Sequence, residues 1–297
     1  MNIKDIYELN VGEVLEDVDL SLYTTYKIKS RGKVLVIPND IDGLKKLIDY
    51  IKVNNLKYKI LGNGSNLIFK NDVYDGVLIK LDKFNSLDIS DNIITVGAGY
   101  NLMKLALKCS MMGLSGLEFA TGIPGSVGGS VYMNAGAYNS DISEILVSAL
   151  VLTPDLEIVK FSDSDFKFSY RTSILQEKIG YVCLAAQFEL SFGNKDEIMD
   201  LVNSRRERRM LSQPLEYPSA GSVFRNPVGD YAGRLIEEIG YKGTKIGGAE
   251  VSEKHANFIV NVGGATGSDI CSLINEIKDD VKKKYDIDLK VEQEIVE

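Results

Sequence analysis

The sequence predicts an α+β fold in more than one domain, and three observations carry that expectation. Short strand-like apolar runs and longer segments of helical period are mixed along the chain. The length, 297 residues, exceeds what one hydrophobic core usually serves. Residues 119–140, FATGIPGSVGGSVYMNAGAYNS, run 22 positions without Asp, Glu, Lys or Arg. Within them Gly122, Pro124, Gly125, Gly128, Gly129 and Gly136 exclude a buried helix or a membrane span and predict a loop.

Taken in order, residues 34–38 read as a strand, 41–53 as an amphipathic helix with Leu44, Leu47, Ile48 and Ile51 on one face, and 58–61 as a second strand. Together they make a small αβ lobe. Strands follow over 77–81 and 93–96, then a helix over 102–112, then the glycine segment. The apolar runs 146–152 and 181–190 read as buried strands. A charged helix over 195–211, carrying Arg205, Arg206, Arg208 and Arg209, bridges to a last unit. That unit reads as a helix over 232–239, strands near 245–251 and 257–262, a helix over 269–284 with Ser268 as its N-cap, and a closing strand. The division along the chain is therefore 1–80, 81–194 and 195–297.

Hydrophobic residues at 44% and charged residues at 26% describe an ordinary soluble chain. A net charge of -8 argues against a nucleic-acid partner, which would want a basic face, so anionic ligands must be held by local geometry. Cys109, Cys183 and Cys271 match no metal or redox spacing and are expected as reduced core residues. With one histidine, His255, no typical zinc site can be built, and no metal is expected. The N-terminus has no apolar run of signal-peptide length, and no segment is apolar enough for a membrane helix. A cytoplasmic protein with no membrane partner, acting as a monomer, is expected.

A segment that removes charge and Cβ atoms together presents backbone N–H groups at close range, and phosphate is the usual recipient. Packing alone is the competing explanation. The pattern is neither a P-loop nor a Rossmann fingerprint: Gly32-Lys33 is followed by Val34, and Gly62-Asn63-Gly64 and Gly97-Ala98-Gly99 lack the third glycine. Residues 61–67, LGNGSNL, form a tight turn suited to positive φ, and with the charge-free segment they make two walls of one anion site. Arg171, in an otherwise uncharged stretch over 168–176, has the bidentate fork that holds carboxylates, with a surface arginine as the default. Ser222 lies between Gly221 and Val223. A nucleophilic triad would have to recruit His255 and lacks a Gly-x-Ser-x-Gly elbow, whereas a proton donor requires less company. His255 itself reads as structural.

The motifs LGNGSNL, ATGIPGSVGGSVYMNAGAY, SYRTSIL, YPSAGSVFRNP and IGGAEVSEKHANFIVN, in this order, closely resemble the UDP-N-acetylenolpyruvoylglucosamine reductase family, over residues 20–296. The resemblance implies a two-lobed FAD-binding domain of the vanillyl-alcohol-oxidase (PCMH) type, lobes 1–80 and 81–194, followed by an αβ substrate-binding domain over 195–297. It implies FAD and NADPH as cofactors, and NADP-dependent UDP-N-acetylmuramate dehydrogenase activity in peptidoglycan precursor synthesis. FAD would be held by Gly62, Asn63, Gly64, Ser65 and Asn66 of the turn. From the charge-free segment it would be held by Thr121, Gly122, Pro124, Gly125, Ser126, Gly128, Gly129, Asn134, Gly136 and Ala137. Arg171 matches the family's arginine at the enolpyruvyl carboxylate, Ser222 its proton donor and Asn226 a diphosphate contact, with Tyr170 also at the substrate.

The family's catalytic glutamate falls in residues 289–295, LKVEQEI, where the leucine and isoleucine flanks select Glu292. Val291 stands where the family commonly has proline, and Glu294, two positions on, shares its strand face, so both glutamates stay open. Only 51 positions separate Arg171 from Ser222, which resembles the family's shorter type without the substrate-covering insert. Tyr217, Arg225 and the Arg205–Arg209 cluster are the candidates to cover the diphosphate. Two other readings compete: a sugar or alcohol oxidase of the same flavoprotein superfamily, and a non-catalytic nucleotide-sugar binder, which would be colourless.

Overall fold

The structure is a computed structural model and describes residues 3–297. Its contacts divide the chain into two compact units. The first contains the described part of residues 1–15, Val34–Asn63 and Gly76–Arg208; the second contains Glu16–Lys33, Gly64–Asp75 and Arg209–Glu297. Compactness follows strand pairing, not chain order: Leu67–Phe69 pairs in parallel with Glu294–Val296, near the far end of the chain.

In the first unit the helix Ile41–Val53 starts on Asp40, whose carboxylate accepts from the Gly43 amide at 2.8 Å, and buries Leu44, Leu47, Ile48 and Ile51. The strand Tyr58–Leu61 pairs in parallel with the second half of Val73–Lys80. A five-stranded antiparallel sheet then forms in the order Ile158–Ser162, Leu146–Leu152, Val182–Glu189, Ile93–Gly97, Leu87–Ser90. Its central strands include the apolar runs: Val182–Glu189 is buried along most of its length, whereas Leu146–Leu152 leaves Val147 and Leu150 exposed.

Residues 119–140 depart from the loop expected there. Val127–Met133 is an α-helix containing Gly128 and Gly129, and Leu102–Met111 is another. Pro124 and Gly125 break the chain ahead of the glycine-containing helix, and Ser126 caps it, its hydroxyl accepting from the Gly129 amide at 3.3 Å. Gly128 is tolerated because close approach requires it: a Cβ there would lie 2.8 Å from the Ala98 Cβ.

In the second unit a three-stranded antiparallel sheet, Lys245–Ile246, Ala249–Val251 and Ile259–Asn261, goes with the helices Ala232–Glu238 and Gly267–Tyr285. The single strand expected near 245–251 is thus a hairpin turning at Gly247 and Gly248, with Gly247 at φ +54°. The last helix begins on Thr266, not Ser268. Asp269 N–H donates to the Thr266 hydroxyl at 3.1 Å and Thr266 N–H donates to the Asp269 carboxylate at 2.9 Å, and this reciprocal capping box outcompetes a lone serine. All three cysteines are free and buried. Among the described residues no helix is long and apolar enough to cross a membrane. Among the same residues, no cluster of His, Cys, Asp and Glu could hold a metal.

Candidate active site

The turn over 62–66 follows directly from a strand end. Gly64 adopts φ +61°, and a Cβ there would sit 2.1 Å from the Tyr23 carbonyl oxygen, so only glycine fits. The turn is held from outside, the Gly64 carbonyl accepting from the Thr25 amide at 3.2 Å. Among the described residues the amides of Asn63, Gly64 and Ser65 donate to no protein acceptor, so three successive N–H groups are left for a ligand. Within the first unit Gly62 meets the charge-free segment, where its Cβ would stand 2.7 Å from the Ser126 hydroxyl. The two glycine segments expected to share a site therefore touch.

The charge-free segment uses its own donors differently. Val127 N–H donates to the Tyr100 carbonyl at 2.9 Å, Gly128 N–H to the Ala98 carbonyl at 2.8 Å, and Gly129 N–H to Ser126. Thr121 turns its hydroxyl to the Glu118 carbonyl at 2.9 Å within the short helix Glu118–Gly122. A Cβ on Gly125 would lie 3.1 Å from the Ser130 hydroxyl. Asn134 ends the glycine helix in the left-handed region, and its side-chain amide is engaged on both sides. Its Nδ2 donates to Asp141 at 3.2 Å and to the Ser169 carbonyl at 3.1 Å, and its Oδ1 accepts from Ser143 N–H at 3.0 Å. Gly136 and Ala137 pair with Ser140 and Asp141 across a two-residue turn, Tyr138 and Asn139, both at positive φ.

Arg171 belongs to that same neighbourhood. Ser169 and Thr172 exchange two backbone hydrogen bonds, at 3.1 and 3.0 Å, around Tyr170 and Arg171, and Arg171 takes φ +57°. A left-handed arginine in a two-residue turn is an uncommon conformation that the closed turn imposes. Its guanidinium donates to the Gly136 carbonyl at 2.6 Å and lies 5.5 Å from the centre of the Tyr170 ring, itself half exposed. Nearby Arg205 sits 4.9 Å over the Tyr138 ring, whose hydroxyl donates to the Arg205 carbonyl at 3.0 Å.

In the second unit Ser222 follows Gly221, which has φ +76°. Phe224 bridges Val291 in antiparallel sense, with Glu292 N–H donating to the Val223 carbonyl at 2.8 Å and Arg225 N–H to the Lys290 carbonyl at 2.9 Å. Glu292 is thus joined to the residue after Ser222. Asn66 of the glycine turn donates from its side chain to the Glu292 carbonyl at 3.0 Å. The expected common face of Glu292 and Glu294 does not form. The chain changes partner between them: residues up to Glu292 pair with the Ser222 segment, whereas the strand Glu294–Val296 pairs with Leu67–Phe69. Burial, with the Glu294 charge adding to it, pushes the Tyr74 hydroxyl up to about 12.

Asn226 has a local duty, its Oδ1 accepting from Ala232 N–H at 3.1 Å at the start of Ala232–Glu238. Arg225 is partly buried and Tyr217 half exposed. His255 is structural in its contacts. Its Nδ1 accepts from Asn257 N–H at 3.2 Å, its ring lies 4.9 Å from that of Phe258, and burial holds the imidazole below its ordinary range. Sequence reasoning missed Asn257, Tyr26 and Gln293, all buried polar groups beside the Ser222 segment. Asn257 lay inside a quoted motif, but nothing in the chain order points to its partners, Val223 and Phe224.

Residues 32–162 match the family described as FAD binding domain, and residues 213–296 match UDP-N-acetylenolpyruvoylglucosamine reductase, C-terminal domain. The UDP-N-acetylenolpyruvoylglucosamine reductase of Bacillus licheniformis is 48% identical over 99% of this chain and 97% of its own length. That of Bacillus subtilis is 46% identical over the same shares. The crystal structure of the Thermus caldophilus UDP-N-acetylenolpyruvylglucosamine reductase superposes with a TM-score of 0.82 at 32% identity, covering 96% of this chain and 98% of that one. The chain belongs to the UDP-N-acetylenolpyruvoylglucosamine reductase family, built as a PCMH-type FAD-binding domain followed by that family's C-terminal domain.

Proposed function

We propose that this chain uses NADPH to reduce the enolpyruvyl ether of UDP-N-acetylglucosamine to UDP-N-acetylmuramate, with residues 1–80 and 81–194 serving FAD and 195–297 serving the substrate. It is an FAD-containing oxidoreductase of peptidoglycan precursor synthesis. Supporting the cofactor's seat are the successive amides of Asn63, Gly64 and Ser65, which meet no protein acceptor among the described residues, in a turn where a Cβ on Gly64 would lie 2.1 Å from the Tyr23 carbonyl oxygen. The residues fit the group. Bound there and reduced, FAD supplies a hydride from N5 to the terminal methylene of the enolpyruvyl ether.

The rest is the work of this chain's side chains. Ser222 donates a proton to the carbon bearing the carboxylate, and Glu292 assists it. Arg171 stabilises the negative charge that spreads into that carboxylate, a task for a planar bidentate cation. The observation that carries the reading is the pairing of the Ser222 segment with Glu292, itself pinned by Asn66 of the glycine turn. Tyr170, Asn226, Arg225 and Tyr217 are assigned to the nucleotide sugar.

Stopped-flow absorbance of the two half-reactions tests this. Ser222→Ala should keep flavin reduction by NADPH while slowing product formation ~10²- to 10⁴-fold. Unimpaired turnover would remove Ser222 from the chemistry.

A further inference from the structure

Between the Ser222 segment and the C-terminal segment lies a buried amide that the reaction does not itself use. Gln293, 3% exposed, donates from Nε2 to the Ala220 carbonyl at 3.1 Å and to the Gly221 carbonyl at 3.0 Å. Its Oε1 accepts from the hydroxyl of Tyr26, which is 0% exposed, at 3.1 Å. That third bond sets the amide's direction. Reversed, Oε1 would face two carbonyl oxygens. Tyr26 is fixed in turn, its own carbonyl accepting from Asn261 Nδ2 at 3.0 Å.

Gly221 takes φ +76°, a backbone conformation that residues other than glycine rarely adopt, and its carbonyl is one of the two that Gln293 holds. On the far side of Ser222 a second amide acts in the same way. Asn257 accepts from Phe224 N–H on Oδ1 at 2.9 Å, donates from Nδ2 to the Phe224 carbonyl at 2.8 Å, and takes Val223 N–H on its own carbonyl at 2.9 Å. Ser222 therefore sits between two clamps, one of which, Gln293, adjoins Glu292 in sequence.

We propose that Gln293, oriented by Tyr26, is a positioning residue that fixes the Ser222 hydroxyl for proton transfer by holding the Ala220 and Gly221 carbonyls. This rests on Ser222 being the proton donor. Misplacing a reacting group by about 1 Å can slow a step ~10²-fold, so the clamp acts on the product-forming half-reaction and leaves hydride uptake from NADPH alone.

The test uses the FAD-loaded enzyme with Gln293→Leu, Tyr26→Phe/Gln293→Leu and Ser222→Ala side by side. Flavin reduction by NADPH, single-turnover product formation in H₂O and D₂O, and melting temperature are measured. Gln293→Leu should slow product formation about 10- to 100-fold with flavin reduction unchanged. It should also lower the melting temperature, because the Tyr26 hydroxyl is left buried without an acceptor. Removing that hydroxyl in the double variant should raise the melting temperature again while product formation stays slow and its solvent isotope effect grows. Recovery of rate together with stability in the double variant would show a merely structural residue and overturn the proposal. Should Gln293→Leu fail to fold, the double variant, free of the orphaned hydroxyl, decides alone. Full-speed product formation by Ser222→Ala would sink the underlying proton-donor reading; a slow Ser222→Ala beside a fast double variant would sink only the role of Gln293.

Discussion

In residues 62–66 the amides of Asn63, Gly64 and Ser65 meet no protein acceptor among the described residues, whereas in the glycine helix those of Val127, Gly128 and Gly129 are taken by Tyr100, Ala98 and Ser126. Both segments are rich in glycine and free of charge, yet glycine does different work in each. In the turn it permits a left-handed residue against the Tyr23 carbonyl, and the donors there meet no protein acceptor among the described residues. In the helix it permits the main chain to lie against Ala98, and its donors are consumed in doing so. Glycine content marks close approach; the partner of each amide says whether protein or ligand is what approaches.

Substitutions separate these two uses. The largest effect is expected from Gly64→Ala. Its methyl would overlap backbone at 2.1 Å, on top of the roughly 1–2 kcal/mol cost of a left-handed non-glycine residue. FAD titration of the purified protein should show the cofactor lost; retention at wild-type affinity would break the contrast. Gly128→Ala should instead lower stability by roughly 1–3 kcal/mol through overpacking against Ala98, with FAD affinity of the folded fraction unchanged. Adding Ala98→Gly should return most of that stability in chemical denaturation. A loss of FAD affinity that the second substitution does not repair would give the helix a direct binding role.

Ser126→Ala ranks next, at about 1 kcal/mol, since it removes the cap on Gly129. Because the same hydroxyl faces Gly62, any effect on FAD beyond that on stability would assign it to the ligand. The smallest effect serves as a control outside both segments. Burial depresses the His255 pKa from 6.5, so the folded protein keeps the ring neutral while the unfolded chain takes up a proton. Stability present above that value is therefore lost as pH falls through it, by at most about 1.4 kcal/mol per pH unit for one proton. Melting curves of His255→Gln should decline less steeply over that window than those of the wild type. Equal slopes would remove His255 from the pH response.

Local signals suffice wherever neighbours in sequence decide the outcome. The helix Ile41–Val53 and the strands Tyr58–Leu61 and Leu146–Leu152 form with the bounds their periodicity predicts. A cap made by two side chains together, as at Thr266 and Asp269, is not legible from single residues, and the glycine helix Val127–Met133 forms despite its helix-breaking residues because close packing on Ala98 favours them. The hairpin at Gly247 and Gly248 looks like one strand in the sequence for a similar reason: apolar alternation does not record where the chain doubles back.

The sequence alone determined the family and the bounds of elements such as Ile41–Val53, Tyr58–Leu61 and Leu146–Leu152, because these depend on residue identity and on spacings of a few positions. Tertiary structure alone decided which amides are spent and which remain, and that the Glu292 backbone pairs with Val223 while Glu294 pairs with Leu67. Those outcomes depend on acceptors far along the chain, as when Gln293 finds the carbonyls of Ala220 and Gly221, 73 and 72 positions away. A hydrogen bond is fixed by the direction and distance of its two atoms, and across such separations only the folded backbone sets either.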